Sequence, residues 1–280
     1  MLLRSVQSPL YLARPSTARH IGFMAHPIAN STQKKLIRID VSSDTVCPWC
    51  FVGKKNLNKA MDSCKDLYDF EVRWHPFFLN PSAPKEGVKK SEFYQNKFGS
   101  QSEQIMSRMT EVFRGLGLEY DTSGLTGSTL DSHRLITFAG QQGLNKQNAL
   151  VEELFLNYFV QGKYIGDRQV LVEAASKIGV EGAAEFLEDP NNGVKEVNEE
   201  LEKYSAAIRG VPYYVINGKH KLNGAQQPEV FLGAFQAVAN ESTPLEKRSE
   251  MNLSEQNIDA IFVLTYPNLG AKILFSNRDV

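Results

Sequence analysis

Two cysteines stand two residues apart in this 280-residue chain, as Cys47-Pro48-Trp49-Cys50. That spacing allows the pair to close as a disulfide and reopen as a dithiol, so the first chemistry to consider is thiol–disulfide exchange. Leu36-Ile37-Arg38-Ile39-Asp40-Val41 before the pair reads as an interior strand. After it, Leu57, Ala60, Met61 and Cys64 recur at i, i+3, i+4 and i+7, one face of a helix. Pro48 suits the first turn of that helix, where its missing N–H costs nothing. Cys47 is therefore expected at a helix N-terminus, where free backbone N–H groups and the helix dipole favour a thiolate, helped by the nearby cations of Lys54 and Lys55. Cys50, one turn further in, is placed to resolve a mixed disulfide formed at Cys47. Trp49, between the two thiols, is expected to be exposed and able to stack on a substrate.

The rival reading of a C-x-x-C is half a zinc site. The nearest further ligands are Cys64 and His75, and Cys64 lies 14 residues beyond Cys50 on the same helix. At 1.5 Å per residue that is about 21 Å, too far to share an ion. No second C-x-x-C follows, so no metal is expected and Cys64 reads as a core residue. Asp44 has two readings, a proton relay to Cys50 or the cap of the next turn. His133 reads as a groove-facing, surface or packing residue, and His75 as part of a turn before Pro76.

A second strand is expected over Phe70–Trp74, ended by the prolines between 76 and 84. Residues 89–207 then change to helical period. One stripe is Ile105, Met109, Val112, Phe113 and Leu116, and a second is Val151, Leu154, Phe155, Tyr158 and Phe159. Val170, Leu171, Ala174, Ala175 and Ile178 form a third, with Asp167 as N-cap. A fourth helix is expected through Val194, Val197, Leu201, Tyr204 and Ile208. Another falls near 129–142, with Ser128 and Asp131 spaced like a capping box. Tyr213–Ile216 leads into Asn217-Gly218, a hairpin turn signal, with a return strand over Lys219–Leu222 and a closing helix through Phe231, Phe235 and Val238.

Net charge is −1, with 22% charged and 42% apolar residues, so no overall field attracts nucleic acid or an anionic membrane. No apolar run reaches the roughly 18 residues that suggest a span. Three cysteines rule out a disulfide framework for a chain of this length. Residues 1–35 carry five basic residues and no acid, the composition of an organelle transit peptide or a disordered basic start. A mitochondrion or plastid is the expected compartment, with the cytoplasm as the alternative. Residues 241–280 show no sustained period and yield no functional reading.

The ordered set of motifs resembles the DsbA-like branch of the thioredoxin superfamily, and within it the FrnE-type subgroup. The residues that carry the resemblance are Cys47 to Lys54, Pro76 to Pro81, His133-Arg134-Leu135, Gly210-Val211-Pro212, Ile216-Asn217-Gly218 and Gly224-Ala225-Gln226, spread over residues 36–240. The resemblance implies an α/β thioredoxin fold, at 36–88 and 208–240, interrupted by an all-helical insertion at 89–207. It also implies Cys47 as nucleophile, Cys50 as resolving thiol, and a cis Val211–Pro212 bond beside them. There the Val211 backbone would pair with an extended substrate, with Pro48 and Trp49 completing the substrate edge. The expected substrates are thiols or disulfides of peptides, proteins or small molecules. No cofactor is expected beyond glutathione as a redox co-substrate. Two similar groups, the kappa-class glutathione transferases and the 2-hydroxychromene-2-carboxylate isomerases, typically carry serine where Cys47 stands. A glutathione-dependent transferase or isomerase is thus the alternative function, and a redox-inactive peptide-binding module the second.

Overall fold

The computed structural model describes residues 34–241. The transit-peptide and C-terminal-tail expectations fall outside the described residues. In chain order the elements are β1 (Lys35–Ser43), α1 (Pro48–Ser63), β2 (Tyr68–Pro76), β3 (Val88–Lys89), α2 (Lys90–Phe98), α3 (Ser102–Gly115), β4 (Leu125–Thr126), α4 (Leu130–Gln141) and α5 (Leu144–Phe159). Then come α6 (Arg168–Ile178), α7 (Ala183–Glu188), α8 (Val194–Glu200), a π-helical stretch (Leu201–Ser205), β5 (Tyr213–Ile216), β6 (His220–Asn223) and α9 (Pro228–Asn240).

Four strands form one sheet in the order β2-β1-β5-β6. β1 and β2 are parallel, as a strand–helix–strand unit requires, while β5 is antiparallel to both β1 and β6. The β5–β6 hairpin turns on Asn217 and Gly218, both at positive φ (48° and 72°), the geometry that Asn-Gly adopts readily. Phe231 and Phe235 of α9 are fully buried, and Phe231 meets Tyr214 of β5 edge-on at 4.9 Å.

The insertion between β2 and β5 is helical apart from a short β3–β4 ribbon. Its stripes are core-facing: every residue of the Val151–Phe159 stripe on α5 is buried, and Asp167 caps α6 by accepting from the Gln169 and Val170 N–H groups. Three local expectations need correction. The Ser128/Asp131 box does not form: Ser128 Oγ accepts from the Leu130 N–H at 3.4 Å, while Asp131 pairs with Arg134. A carboxylate one methylene shorter than Glu, with an arginine one turn on, takes the charge partner. The stripe from Val194 to Ile208 is not one α-helix, because the chain widens into the π-helical stretch at Leu201. Finally, α7 was not anticipated; six residues are too few to display a period.

The π-helical stretch ties the insertion back to the sheet. Ser205 Oγ donates to the Pro76 carbonyl at 2.6 Å, and Ser42 Oγ donates to the Tyr204 carbonyl. His75, expected in a turn, instead lies within β2, one residue before its end, buried and stacked on the Tyr204 ring at 3.5 Å. Its Nε2 donates to Asp40 Oδ1 at 2.9 Å and its Nδ1 meets Glu200 Oε2. Two carboxylate acceptors require two N–H donors, which only the imidazolium has. Burial opposes that charge, but the two carboxylates outweigh it and raise the His75 pKa. A raised folded-state pKa stabilises the fold below the unfolded value of about 6.5, and that stabilisation is lost as pH rises through the folded value. Urea unfolding of wild type and His75→Gln between pH 5 and 9 should show a stability gap that is widest at the acid end and narrows with rising pH. A gap independent of pH would contradict the charged pairing.

Candidate active site

Cys47 is the N-cap residue of α1 and Pro48 occupies the first turn. The Cys47 N–H donates to the Asp44 carbonyl at 3.0 Å, and the Cys47 carbonyl accepts from the Cys50 N–H at 3.0 Å. These bonds fix the turn that separates the two thiols. Both are unbonded here, and their surroundings differ. Cys47 is 4% exposed and borders a cavity of about 300 Å³, whereas Cys50 is 0% exposed and does not reach it. Burial, a hydrogen bond to Cys47 and the charge of that neighbour hold the Cys50 thiol well above the ordinary cysteine range. Cys50 is therefore the sealed sulfur and Cys47 the sulfur presented to the cavity.

Trp49 is 38% exposed at the cavity rim, as the sequence suggests. The roof comes from the insertion: Phe93, Tyr94 and Phe98 of α2 and Ile105 and Met109 of α3. On the sheet side, the Val211–Pro212 peptide bond is cis, and the Val211 carbonyl oxygen lies 3.7 Å from Cys47 Sγ. Pro212 is buried, and its carbonyl accepts from the Gly224 N–H at 2.8 Å. The sequence-singled residues Cys47, Pro48, Trp49 and Val211 thus line one cavity, with Cys50 and Pro212 directly behind them. Reasoning from sequence did not single out the α2 residues of the roof, because α2 shows no clean apolar stripe; only its Lys90 is buried.

Several side chains seat the dithiol. Phe51, next to Cys50, is buried against Phe113, Phe155 and Phe159 of the insertion, with ring centroids 5.2–6.0 Å away. Lys54 and Lys55 do not offer their charge to Cys47. Lys54 is buried, donating to Asn148 Oδ1 and pairing with Glu152 at 3.0 Å, and Lys55 pairs with the same carboxylate. They clamp α1 to α5; burial lowers the Lys54 pKa against the pull of Glu152. The Gln147 amide pairs with both the N–H and the carbonyl of Trp74, covering the β2 edge beside α5. Cys64 caps the far end of α1, buried, with its thiol on the Ala60 carbonyl at 3.1 Å.

Asp44 and His133 both prove to be buried side chains. The Asp44 carboxylate accepts from the Leu79 N–H at 2.8 Å and faces His133 Nε2 at 3.5 Å. Among the described residues no hydrogen bond joins this carboxylate to either active-site thiol; Asp44 reaches Cys50 through its backbone.

The sequence profile of the DSBA-like thioredoxin domain matches residues 38–236, and the chain belongs to that family. It is 27% identical to the uncharacterized protein YwbO of Bacillus subtilis (strain 168) over 203 residues, 70% of this chain and 94% of that protein. Among solved structures it is similar to a probable DsbA oxidoreductase from Streptomyces coelicolor, with a TM-score of 0.67 and 29% identity, covering 74% of this chain and 92% of the other. A 2-hydroxychromene-2-carboxylate isomerase shares the fold at a TM-score of 0.52 and 12% identity, over 77% of this chain and 98% of the other.

Gly53 lets α1 pack on β5: a Cβ there would overlap the Tyr214 hydroxyl and press on Pro212 Cγ at 3.1 Å. That hydroxyl is itself buried without a partner. Gly53→Ala should destabilise the protein by about 1–3 kcal/mol through overpacking. Tyr214→Phe should be neutral or stabilising, and the double variant should recover most of the Gly53→Ala loss. A purely additive cycle in thermal unfolding would contradict the contact.

Proposed function

We propose that this protein is a thiol–disulfide oxidoreductase that cycles between a Cys47/Cys50 dithiol and disulfide. The observation that carries the reading is the unequal placement of the two sulfurs: Cys47 at a helix N-cap on a cavity wall, Cys50 sealed behind it with a raised pKa. In the reducing direction, the Cys47 thiolate attacks a substrate disulfide, one substrate sulfur leaves, and a mixed disulfide forms on Cys47. Cys50 then loses its proton and attacks Cys47 Sγ, closing the internal disulfide and releasing the second substrate thiol. The two protein sulfurs give two electrons to the substrate disulfide, and the two protons its product thiols gain balance those that Cys47 and Cys50 release, exchanged through solvent. The reverse sequence oxidises a substrate dithiol.

The raised pKa of Cys50 suits this order. A resolving thiol that stays protonated until the mixed disulfide has formed does not compete with Cys47 for the first attack. Val211, with its carbonyl beside Cys47 Sγ, supplies the backbone edge along which an extended substrate would lie. Trp49 would stack on the substrate from the opposite rim. Electrons pass between sulfurs alone, so the reading requires no resident cofactor. Glutathione enters as a redox co-substrate.

Cys50→Ser should trap a mixed disulfide on Cys47 with a thiol substrate, seen as a mass adduct released by reductant, and should abolish multiple turnover. Cys47→Ser should form no adduct at Cys50, which is closed to the cavity. Turnover that survives Cys50→Ser and depends on glutathione would overturn the dithiol cycle in favour of a glutathione-dependent transferase or isomerase.

A further inference from the structure

Asp44 and His133 are 1% and 2% exposed, and neither has a part in the dithiol cycle described above. Asp44 Oδ1 and His133 Nε2 stand 3.5 Å apart, and each is buried without a hydrogen-bond partner. Buried polar atoms are rarely left in that state. The approach is held from both sides. Thr45 and Ser132, the neighbours of the two residues in sequence, join their hydroxyls at 2.8 Å, and the Phe78 ring meets the imidazole edge-on at 5.3 Å. Leu79 N–H anchors the other carboxylate oxygen. One proton placed between the facing atoms would satisfy both, which makes the pair a proton store built into the junction of β1, α1 and α4.

Its location decides which sulfur it serves. Asp44 borders the cavity together with Cys47, while Cys50 lies outside the cavity lining. A substrate sulfur bonded to Cys47 lies on the cavity side, with Asp44 in the wall, and Cys50 approaches from behind. We propose that the Asp44–His133 pair is the acid–base group for the substrate sulfur, protonating it as it leaves and deprotonating it as it enters. This rests on the thiol–disulfide reading. When Cys50 attacks Cys47 Sγ, the bond from Cys47 to the substrate sulfur breaks and its electron pair departs with that sulfur, which takes the pair's proton. The Cys50 proton goes to solvent, and solvent restores the pair. In the opposite direction the pair accepts the proton of an entering substrate thiol as it attacks the Cys47–Cys50 disulfide at Cys47.

A general acid matters for a basic leaving thiolate and little for one that is stable without a proton. The test is single-turnover oxidation of the reduced full chain by two probes, glutathione disulfide and an aromatic nitrobenzoate disulfide. Wild type, Asp44→Asn and His133→Gln are compared. The ratio of the glutathione-disulfide rate to the aromatic rate should fall about 100-fold in each variant. Equal losses on both probes, leaving the ratio at the wild-type value, would show a merely structural role and overturn the inference. His133→Gln leaves the Asp44 bond to Leu79 intact and decides the matter if Asp44→Asn does not fold. Absence of Cys47-dependent exchange in wild type would overturn the functional reading itself.

Discussion

The seating of the first turn of α1 governs the rest of the site. Three contacts from different parts of the chain fix it: the Asp44 carbonyl on the Cys47 N–H, the insertion's aromatic cluster on Phe51, and Tyr214 of β5 against Gly53. The first sets the direction of the Cys47 side chain at the helix end. The second brings α3 and α5 over α1, and the third closes the sheet beneath it. Because Phe51 adjoins Cys50 and Gly53 lies one turn on, these contacts also keep the Cys50 side chain buried and out of the cavity. Two chemically identical thiols are thereby made unequal by packing.

The insertion does more than cover this turn. Its α5 clamps α1 through Glu152 on Lys54 and Lys55, and α2 and α3 supply the cavity roof. Its last segment, the π-helical stretch, is pinned to the ends of β1 and β2 by Ser205, Ser42 and the His75–Glu200 contact. From there the chain runs directly to Val211 and Pro212. The insertion therefore helps determine both walls of the substrate cavity, the helical roof and the strand edge beside Cys47. Family membership alone does not choose between disulfide exchange and the isomerase chemistry found on the same fold. The presence of both sulfurs, in unequal settings, is what favours exchange.

Much of this was legible in local sequence. Strand–loop–CPWC–helix, the Asp167 cap, the Asn-Gly hairpin and the α5 stripe are each set by residues within a turn or two of one another, where propensity and period act. The interior of the fold was less so. The β3–β4 ribbon pairs two residues with two, and the π-helical widening at Leu201 keeps the apolar residues of an ordinary helix. The first leaves no period to detect, and the second is hidden behind an ordinary helical one. Asp44 and His133 lie 89 positions apart in sequence, and only the docking of α4 brings them together. The same holds for His75, whose partners Asp40 and Glu200 come from β1 and α8. Lys54 and Lys55 looked free to act on Cys47 because Glu152, which occupies them, comes from a helix that sequence alone does not place.

The central claim is that Cys47 and Cys50 form one reversible redox pair while Cys64 stands apart. It is tested most directly by equilibrating the full chain across a series of glutathione redox buffers. The state of each cysteine is then read by thiol labelling and mass mapping. The account predicts that Cys47 and Cys50 lose their thiols together, in one two-electron transition, with a Cys47–Cys50 disulfide recovered and Cys64 labelled throughout. A stable glutathione adduct on Cys47 with Cys50 still reduced, or no Cys47–Cys50 disulfide at any buffer ratio, would contradict it.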